Sequence, residues 1–320
     1  YALTGRAQAI KALALSWFFS MFSPGIAAEA SYATLGRYFV IAAAALSVLS
    51  RSGFLRKHVH TEPLLFGTLL LGLFISVHSL LVSPLPLISI LKATSWTVTF
   101  LTLLGAWSGL ARDKRKQVEH QMFGGLVAIM IVSLPLVGTG LGYLRNASGF
   151  QGILNHPQAF GPAMALLGAW AVSEFIAHRR PGWFIGFVAA VCPILVYLSE
   201  ARTAGLGLVL GVAIGVVAIP VLTGRRITAV SPGLKSRWFG LVAIFAGAGL
   251  ILAAPFINQK LENYISKGSV AETVSEAYYV SRGRLMEEMW SNIQSAPLSG
   301  IGFGIASTPW EMDVTLDPVL

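Results

Sequence analysis

The chain has 320 residues, of which 55% are hydrophobic and only 12% charged, and its mean hydropathy is +0.69. A soluble domain carries about 25% charged residues, so this composition excludes an ordinary water-soluble globule and indicates an integral membrane protein. The formal charge of +9 does not call for a nucleic-acid partner, because the basic residues sit in short loops between apolar runs, where positive-inside topology and anionic headgroups of the membrane lipids account for them.

Nine apolar runs read as spans: 12–28, 32–50, 63–83, 87–110, 122–144, 157–177, 182–198, 204–223 and 238–257. Each approaches the length that crosses a hydrocarbon core of about 30 Å. The first run is broken near its end by Pro24-Gly25, and it can itself act as the insertion signal. The single cysteine, Cys192, lies in the seventh run. It excludes an intrachain disulfide and a cysteine-built metal site, and reads as a packing residue. The expected fold is all-α: a polytopic helix bundle over 1–257, followed by a partly helical outer loop segment over 258–320. The chain starts at Tyr1 and stops at Leu320 inside polar sequence, so the loop is expected to be truncated.

Alternation of the spans sorts the loops onto two sides. One side collects Arg6 and Lys11; Arg51, Arg56 and Lys57; Arg112, Lys114, Arg115 and Lys116; Arg179 and Arg180; and Arg225, Arg226, Lys235 and Arg237. These are 15 of the 23 basic residues, which makes that side cytoplasmic. Of the eight others, Lys260, Lys267, Arg282 and Arg284 belong to the polar tail. Arg37, Lys92, Arg145 and Arg202 instead lie near the outer boundary of the spans, against the topological bias. A charge at the bilayer centre costs about 2.5–3.5 kcal/mol on insertion scales, so such residues face protein or a wet cavity, or snorkel to the headgroups. Snorkelling accounts for any one of them. Four together indicate an outward-facing site for a strongly anionic ligand such as a phosphate.

Between the fifth and sixth runs, Asn155-His156-Pro157 predicts a helix start, with Pro157 in the first position and His156 or Asn155 capping it. The same N-terminus could equally present free N–H groups to an anion. Ser199 to Gly205 forms a charged turn between the seventh and eighth runs, with Arg202 in it. Gly205, Gly207, Gly211 and Gly215 are spaced for close helix packing within the eighth run. In the tail, Ser281 to Ala296 has helical spacing and Pro297 ends it. Arg282 and Arg284 would then stand on the first turn, where the helix dipole disfavours cations. Gly300-Ile301-Gly302-Phe303-Gly304 reads as a flexible turn that approaches a ligand closely.

Three stretches, in this order and on this side, resemble the O-antigen ligase and polymerase superfamily of bacterial envelope glycosyltransferases. They are Gly152-Ile153-Leu154-Asn155-His156-Pro157-Gln158-Ala159-Phe160-Gly161, Ser199-Glu200-Ala201-Arg202-Thr203, and Ser281-Arg282-Gly283-Arg284-Leu285 with Pro297-Leu298-Ser299-Gly300-Ile301-Gly302-Phe303-Gly304. The resemblance covers the chain from about Phe123 onward. It implies a metal-independent, cofactor-free enzyme of the bacterial inner membrane, with 258–320 as part of a periplasmic loop. Such an enzyme takes a glycan from undecaprenyl diphosphate and joins it to an acceptor. The acceptor is lipid A-core in ligases, another lipid-linked repeat in exopolysaccharide or O-antigen polymerases, and a protein hydroxyl in related oligosaccharyltransferases.

By that resemblance, Arg202 and Arg282 match the arginines that hold the diphosphate. Arg37, Lys92, Arg145, Arg284 and Asn155 are expected to bind substrate. Ligases of the family also use a histidine late in the periplasmic loop. The histidines here are His58, His60, His78, His120, His156 and His178, none of them in the tail, which leaves His156 as the outer candidate for a catalytic role. A transporter is the rival class. It predicts an internal repeat and ionisable groups near the midplane, whereas the unusual charges here gather at one face.

Overall fold

A long apolar segment in lipid must satisfy its backbone hydrogen bonds internally, and helices do so. The computed structural model describes residues 1–23, 30–52, 63–144, 149–224, 226–236, 240 and 274–305. Among these the chain is all-helical, with no strand. The helices are α1 (Arg6–Ser20), α2 (Ala30–Ser52), α3 (Pro63–Val82), α4 (Pro86–Ser108), α5 (Arg112–Ser133), α6 (Pro157–Ala177), α7 (Trp183–Leu198), α8 (Arg202–Thr223), the single turn α9 (Ile227–Val230) and α10 (Val274–Ser295).

Five of them are long and apolar enough to cross a membrane: α3, α4, α5 with its extension to Gly138, α6 and α8. Only 6–39% of the residues in their most apolar windows are buried within the protein. Among the described residues their leucines, valines and phenylalanines are left largely uncovered, as suits helices facing lipid, and the chain is a multi-pass membrane protein.

The remaining four expected spans fare differently. The run 182–198 is a shorter apolar helix, α7, of 16 residues. Over 32–50 the chain is helical as α2, which carries Arg37 and Arg51. The first helix spans 15 residues, Arg6–Ser20, and ends earlier than the run that contains Pro24-Gly25. The run 238–257 lies outside the described residues, apart from Gly240.

Helix α5 starts ten residues before the expected 122. Asp113 sits in its first turn, and the Lys, Arg, Gln and Glu of 112–121 are good helix formers that carry it beyond the apolar run. It stops being α-helical at Ser133, and Pro135 with Gly138, Gly140 and Gly142 turns the chain into two short 3-10 helices, Leu134–Gly138 and Gly140–Tyr143.

Two compact units emerge. In unit 1 (Tyr1–Met122 with Tyr278–Leu320), α1, α2 and α4 pack around Ala9, Ile10, Leu13, Ile41, Ala44, Val48 and Ala106. Helices α3 and α4 form an antiparallel hairpin, so close that a Cβ on Gly72 would lie 2.3 Å from the Thr97 side chain. Arg6 clamps the C-terminal ends of α2 and α4, donating from Nη1 to Gly109 O (2.8 Å) and from Nη2 to Arg51 O (2.7 Å). Helices α2 and α4 are therefore parallel.

In unit 2 (Phe123–Ala277), α6 packs on both α7 and α8. Small residues at the crossings permit this, and a Cβ on Gly168 would meet Cys192 Cβ at 2.9 Å. The glycines of α8 do not serve that purpose among the described residues: Gly207, Gly211 and Gly215 have nothing within 4 Å.

Candidate functional site

In unit 2 two of the three matching stretches interlock. The segment after the 3-10 helices folds back on the end of α7, where Phe150 N–H donates to Leu198 O at 2.8 Å. Phe150 and Leu154 are fully buried, and Phe150 stacks edge-on against Phe160 of α6 with ring centroids 5.1 Å apart. Gln151, also buried, donates from Nε2 to Leu154 O (2.9 Å), and Ile153 N–H donates to the buried Ser133 Oγ (3.2 Å). These bonds leave the loop no slack, so the start of α6 is set by packing as well as by its cap.

That start follows the expectation. Pro157 opens α6, and His156 is its N-cap, with Nδ1 accepting from Gln158 N–H at 3.0 Å. The cap engages the ring lone pair that a general base at Nδ1 would need. Asn155 stands next to it, half-buried.

The turn from α7 to α8 is equally tight. Ser199 is buried and donates to Val196 O (2.7 Å), while its Oγ accepts from Ala201 N–H (3.3 Å). Glu200 has φ +54°, the one non-glycine residue at positive φ among the described residues. A left-handed glutamate costs free energy and persists only where its surroundings over-determine it. Arg202 N–H then closes back on Glu200 O at 3.0 Å, and α8 begins at Arg202. Gly161, in the first turns of α6, faces this turn. A Cβ there would lie 2.3 Å from Ala201 Cβ and 2.7 Å from Ser199 Oγ. The N-terminal ends of α6 and α8 thus lie together, each with the positive end of its dipole. The Nε and Nη2 atoms of Arg202 are buried at this place.

In unit 1 the geometry groups a second set of donors. Arg6 fixes Arg51 and Gly109 at one level. Arg37 is then level with about Ser95 after some 21 Å of each helix, between Lys92 and Thr99. Nε and Nη2 of Arg37, Oη of Tyr38 and Oγ1 of Thr99 are buried with no hydrogen-bond partner. Buried polar atoms are nearly always paired, so such a cluster suits a ligand with several acceptor oxygens. Nothing in the sequence reading drew attention to Tyr38 or Thr99. Tyr38 adjoins Arg37, and Thr99 shares a helix face with Lys92 and Trp96, a spacing that could have found it.

Lys92 has a protein partner. Its Nζ donates to Gly304 O at 2.9 Å, and Ser89 Oγ donates to Phe303 O at 2.8 Å. The glycine turn 300–304 is therefore bound to α4. Gly302 (φ +97°) and Gly304 (φ +68°) approach Ser83 and Lys92 so closely that a Cβ would come within 2.6–2.7 Å. Those glycines serve contact with the protein itself, where the sequence reading expected a ligand.

Arg282 and Arg284 lie in α10, which begins at Val274. They occupy its middle turns, so the dipole argument for the first turn does not apply to them. Arg145 lies outside the described residues, as do Lys260 and Lys267. Among the described residues, no group of three or more His, Cys, Asp and Glu is placed to hold a metal ion. No protein-family model, no curated protein and no solved structure matches the chain.

Proposed function

We propose that the chain is a membrane glycosyltransferase of the O-antigen ligase kind, with about nine spans and its active face on the periplasmic side of a bacterial inner membrane. It moves a glycan from undecaprenyl diphosphate to an acceptor such as lipid A-core. Polymerisation of lipid-linked repeats and transfer to a protein hydroxyl are the alternatives with the same donor chemistry. One observation carries the reading: the stretches around Asn155-His156-Pro157 and Ser199-Glu200-Ala201-Arg202 interlock through Phe150, Gly161 and Ser199, at a place where two helix N-termini and an arginine converge.

The chemistry asks for what such a place offers. An acceptor hydroxyl oxygen bonds to the anomeric carbon as the carbon–oxygen bond to the diphosphate breaks. Undecaprenyl diphosphate leaves with the bonding pair, and the hydroxyl proton passes to a base. Negative charge grows on the leaving group, and Arg202, with Arg282 from the loop, stabilises it without reorganising. A guanidinium offers two parallel donors to phosphate oxygens, which an ammonium does not. Arg37, Arg145, Arg284 and Asn155 are the further residues assigned to substrate, and Lys92, bound to Gly304 O, holds the turn 300–304. With its Nδ1 engaged in the cap, His156 orients α6, and no residue is assigned here as the base.

The test is transfer in vivo and in vitro. Arg202→Ala should abolish surface polysaccharide at unchanged protein level, and Arg202→Lys should restore only a small part of it. Normal polysaccharide in Arg202→Ala sinks the assignment of Arg202. Solute uptake by reconstituted protein, with no glycan transfer, would turn the reading toward a transporter.

A further inference from the structure

Helix α10 carries an apolar stripe that no described residue covers. Tyr279, Met286, Met289, Trp290 and Ile293 fall within about 100° around the helix axis, an arc that among the charged residues of α10 only Arg282 enters. All five are 47–62% exposed. Glu288, Ser291 and Ser295 stand on the opposite face. A helix this amphipathic in a soluble protein turns its stripe to the core, so an exposed stripe of this kind needs a partner.

The chain itself indicates the partner. Immediately after α10, the turn 300–304 is bolted to the α3–α4 hairpin: Ser89 and Lys92 donate to Phe303 O and Gly304 O, and Phe303 N–H donates to Ser79 Oγ at 3.4 Å. That hairpin joins two of the membrane-crossing helices, so its tip marks the bilayer surface. Ser295, the last residue of α10, is eight residues from Phe303, which places it within about 28 Å of that tip. Leu81 and Leu87 at the tip, and Leu298 after α10, are 77%, 85% and 101% exposed. They extend the lipid-facing surface of α3 and α4 toward the stripe.

The residue types agree. Tyr279 and Trp290 are the amphipathic rings found at membrane–water boundaries. The Tyr279 hydroxyl donates to the Glu287 carboxylate, and that bond and the carboxylate charge raise its pKa above the usual phenol value. At the end of the stripe, Met289, Ile293, Ala296, Pro297 and Ile301, with Asn292 beside them, line an open and mostly apolar pocket of about 390 Å³.

We infer that α10 is an interfacial helix, lying in the headgroup layer of the membrane that the spans cross, with its stripe turned toward the acyl chains. This does not depend on the proposed enzymatic activity. The helix contains three glutamates and two arginines, so attraction to anionic lipid contributes little. Apolar area carries the binding, and it is insensitive to salt and to headgroup charge.

Full-length protein lacking its native thiol (Cys192→Ala), with a single new cysteine at Met289→Cys or Ser291→Cys, tests this after labelling with an environment-sensitive fluorophore and reconstitution in phosphatidylcholine vesicles. The Met289 label should emit to the blue of the Ser291 label and be quenched several-fold more by nitroxide-bearing lipid. Aqueous iodide should quench the Ser291 label instead. Both patterns should persist when phosphatidylglycerol is added and when salt is raised. Equal access of iodide to both labels overturns the inference. So does a Met289 label shielded from iodide yet untouched by nitroxide lipid, because a protein surface then covers the stripe. If Met289→Cys does not fold, Ile293→Cys reports on the same face.

Discussion

At one end of unit 1, Arg6 donates to Gly109 O and Arg51 O, and Arg115 donates from Nε to Leu110 O and from Nη2 to Ser108 O, both at 3.0 Å. Toward the other end, Arg37 keeps Nε and Nη2 buried with no hydrogen-bond partner, beside the equally unpartnered Tyr38 hydroxyl. The first pair are helix caps: cations on the orphan carbonyls of α2 and α4, where the dipoles favour them. Arg37 sits seven residues into α2, far from the C-terminus of that helix. A count of charges by membrane side treats all three alike. Their surroundings separate an arginine that holds the fold from one whose donors are left for something else.

Of these three arginines, Arg37 should when replaced have the largest effect on activity and little effect on stability. If its donors meet the donor diphosphate, Arg37→Ala should lower glycan transfer by about 100-fold, a loss of roughly 2.7 kcal/mol in transition-state stabilisation. Arg37 is half-buried, its Nε and Nη2 make no hydrogen bond, and its guanidinium lies over the Tyr38 ring 6.0 Å from the centroid, so its removal should cost little in folding. Thermal unfolding in detergent should be little changed. An Arg37→Ala protein that unfolds earlier but transfers normally would place Arg37 with the caps and erase the contrast.

Arg6→Ala should give the opposite pattern. Two charge-assisted bonds to carbonyls are lost, each worth about 1.5–3 kcal/mol when sheltered. Partial exposure reduces that, and a total of about 2 kcal/mol is expected. The unfolding midpoint should fall by several degrees, with transfer per folded molecule close to that of the parent. A large loss of transfer at unchanged stability would show that the Arg6 end takes part in function.

How much of this the sequence revealed depends on whether the signal was local. The start of α6 was legible, because Pro157 and His156 carry their chemistry within two residues of the helix end. The start of α10 was legible too but was passed over: Thr273-Val274-Ser275-Glu276 has the Thr-x-x-Glu spacing of a capping box, just where Val274 opens the first turn. A start there, and not at Ser281, moves Arg282 and Arg284 from the first turn to mid-helix. Glycine spacing suggested packing at Gly207, Gly211 and Gly215 of α8, where among the described residues nothing lies within 4 Å of a Cβ, whereas Gly72, Gly161 and Gly168 carry close approaches. Spacing shows which glycines share a face, but not whether another helix lies against it. Lack of partners at Arg37 is likewise a property of three-dimensional surroundings, and only its side of the membrane was readable. The sequence put the Asn155-His156-Pro157 and Ser199 to Arg202 stretches on one side of the membrane, but not their convergence or the Gly161 contact that locks them.

Lys92 lies between the two kinds of cation and should give the smallest effect. It neighbours Arg37 along the bundle, yet its Nζ is bound to Gly304 O, as the cap arginines are bound to carbonyls. Lys92→Met keeps the apolar stem and removes one partly exposed, charge-assisted bond, for about 1 kcal/mol. Ser89 still holds Phe303 O, so the turn 300–304 should loosen without leaving α4. The expected outcome is a small rise in proteolytic cleavage near Gly300 to Gly304 and less than a threefold change in transfer. Gly302→Ala provides the control, because a Cβ 2.6 Å from Ser83 Cβ at φ +97° forces the turn off α4 with Lys92 intact. If Lys92→Met lowers transfer far more than Gly302→Ala does, the ammonium acts on substrate and belongs with Arg37. If both change cleavage and neither changes transfer, Lys92 anchors the turn, and Arg37 with Tyr38 and Thr99 remains the set whose donors point to a ligand.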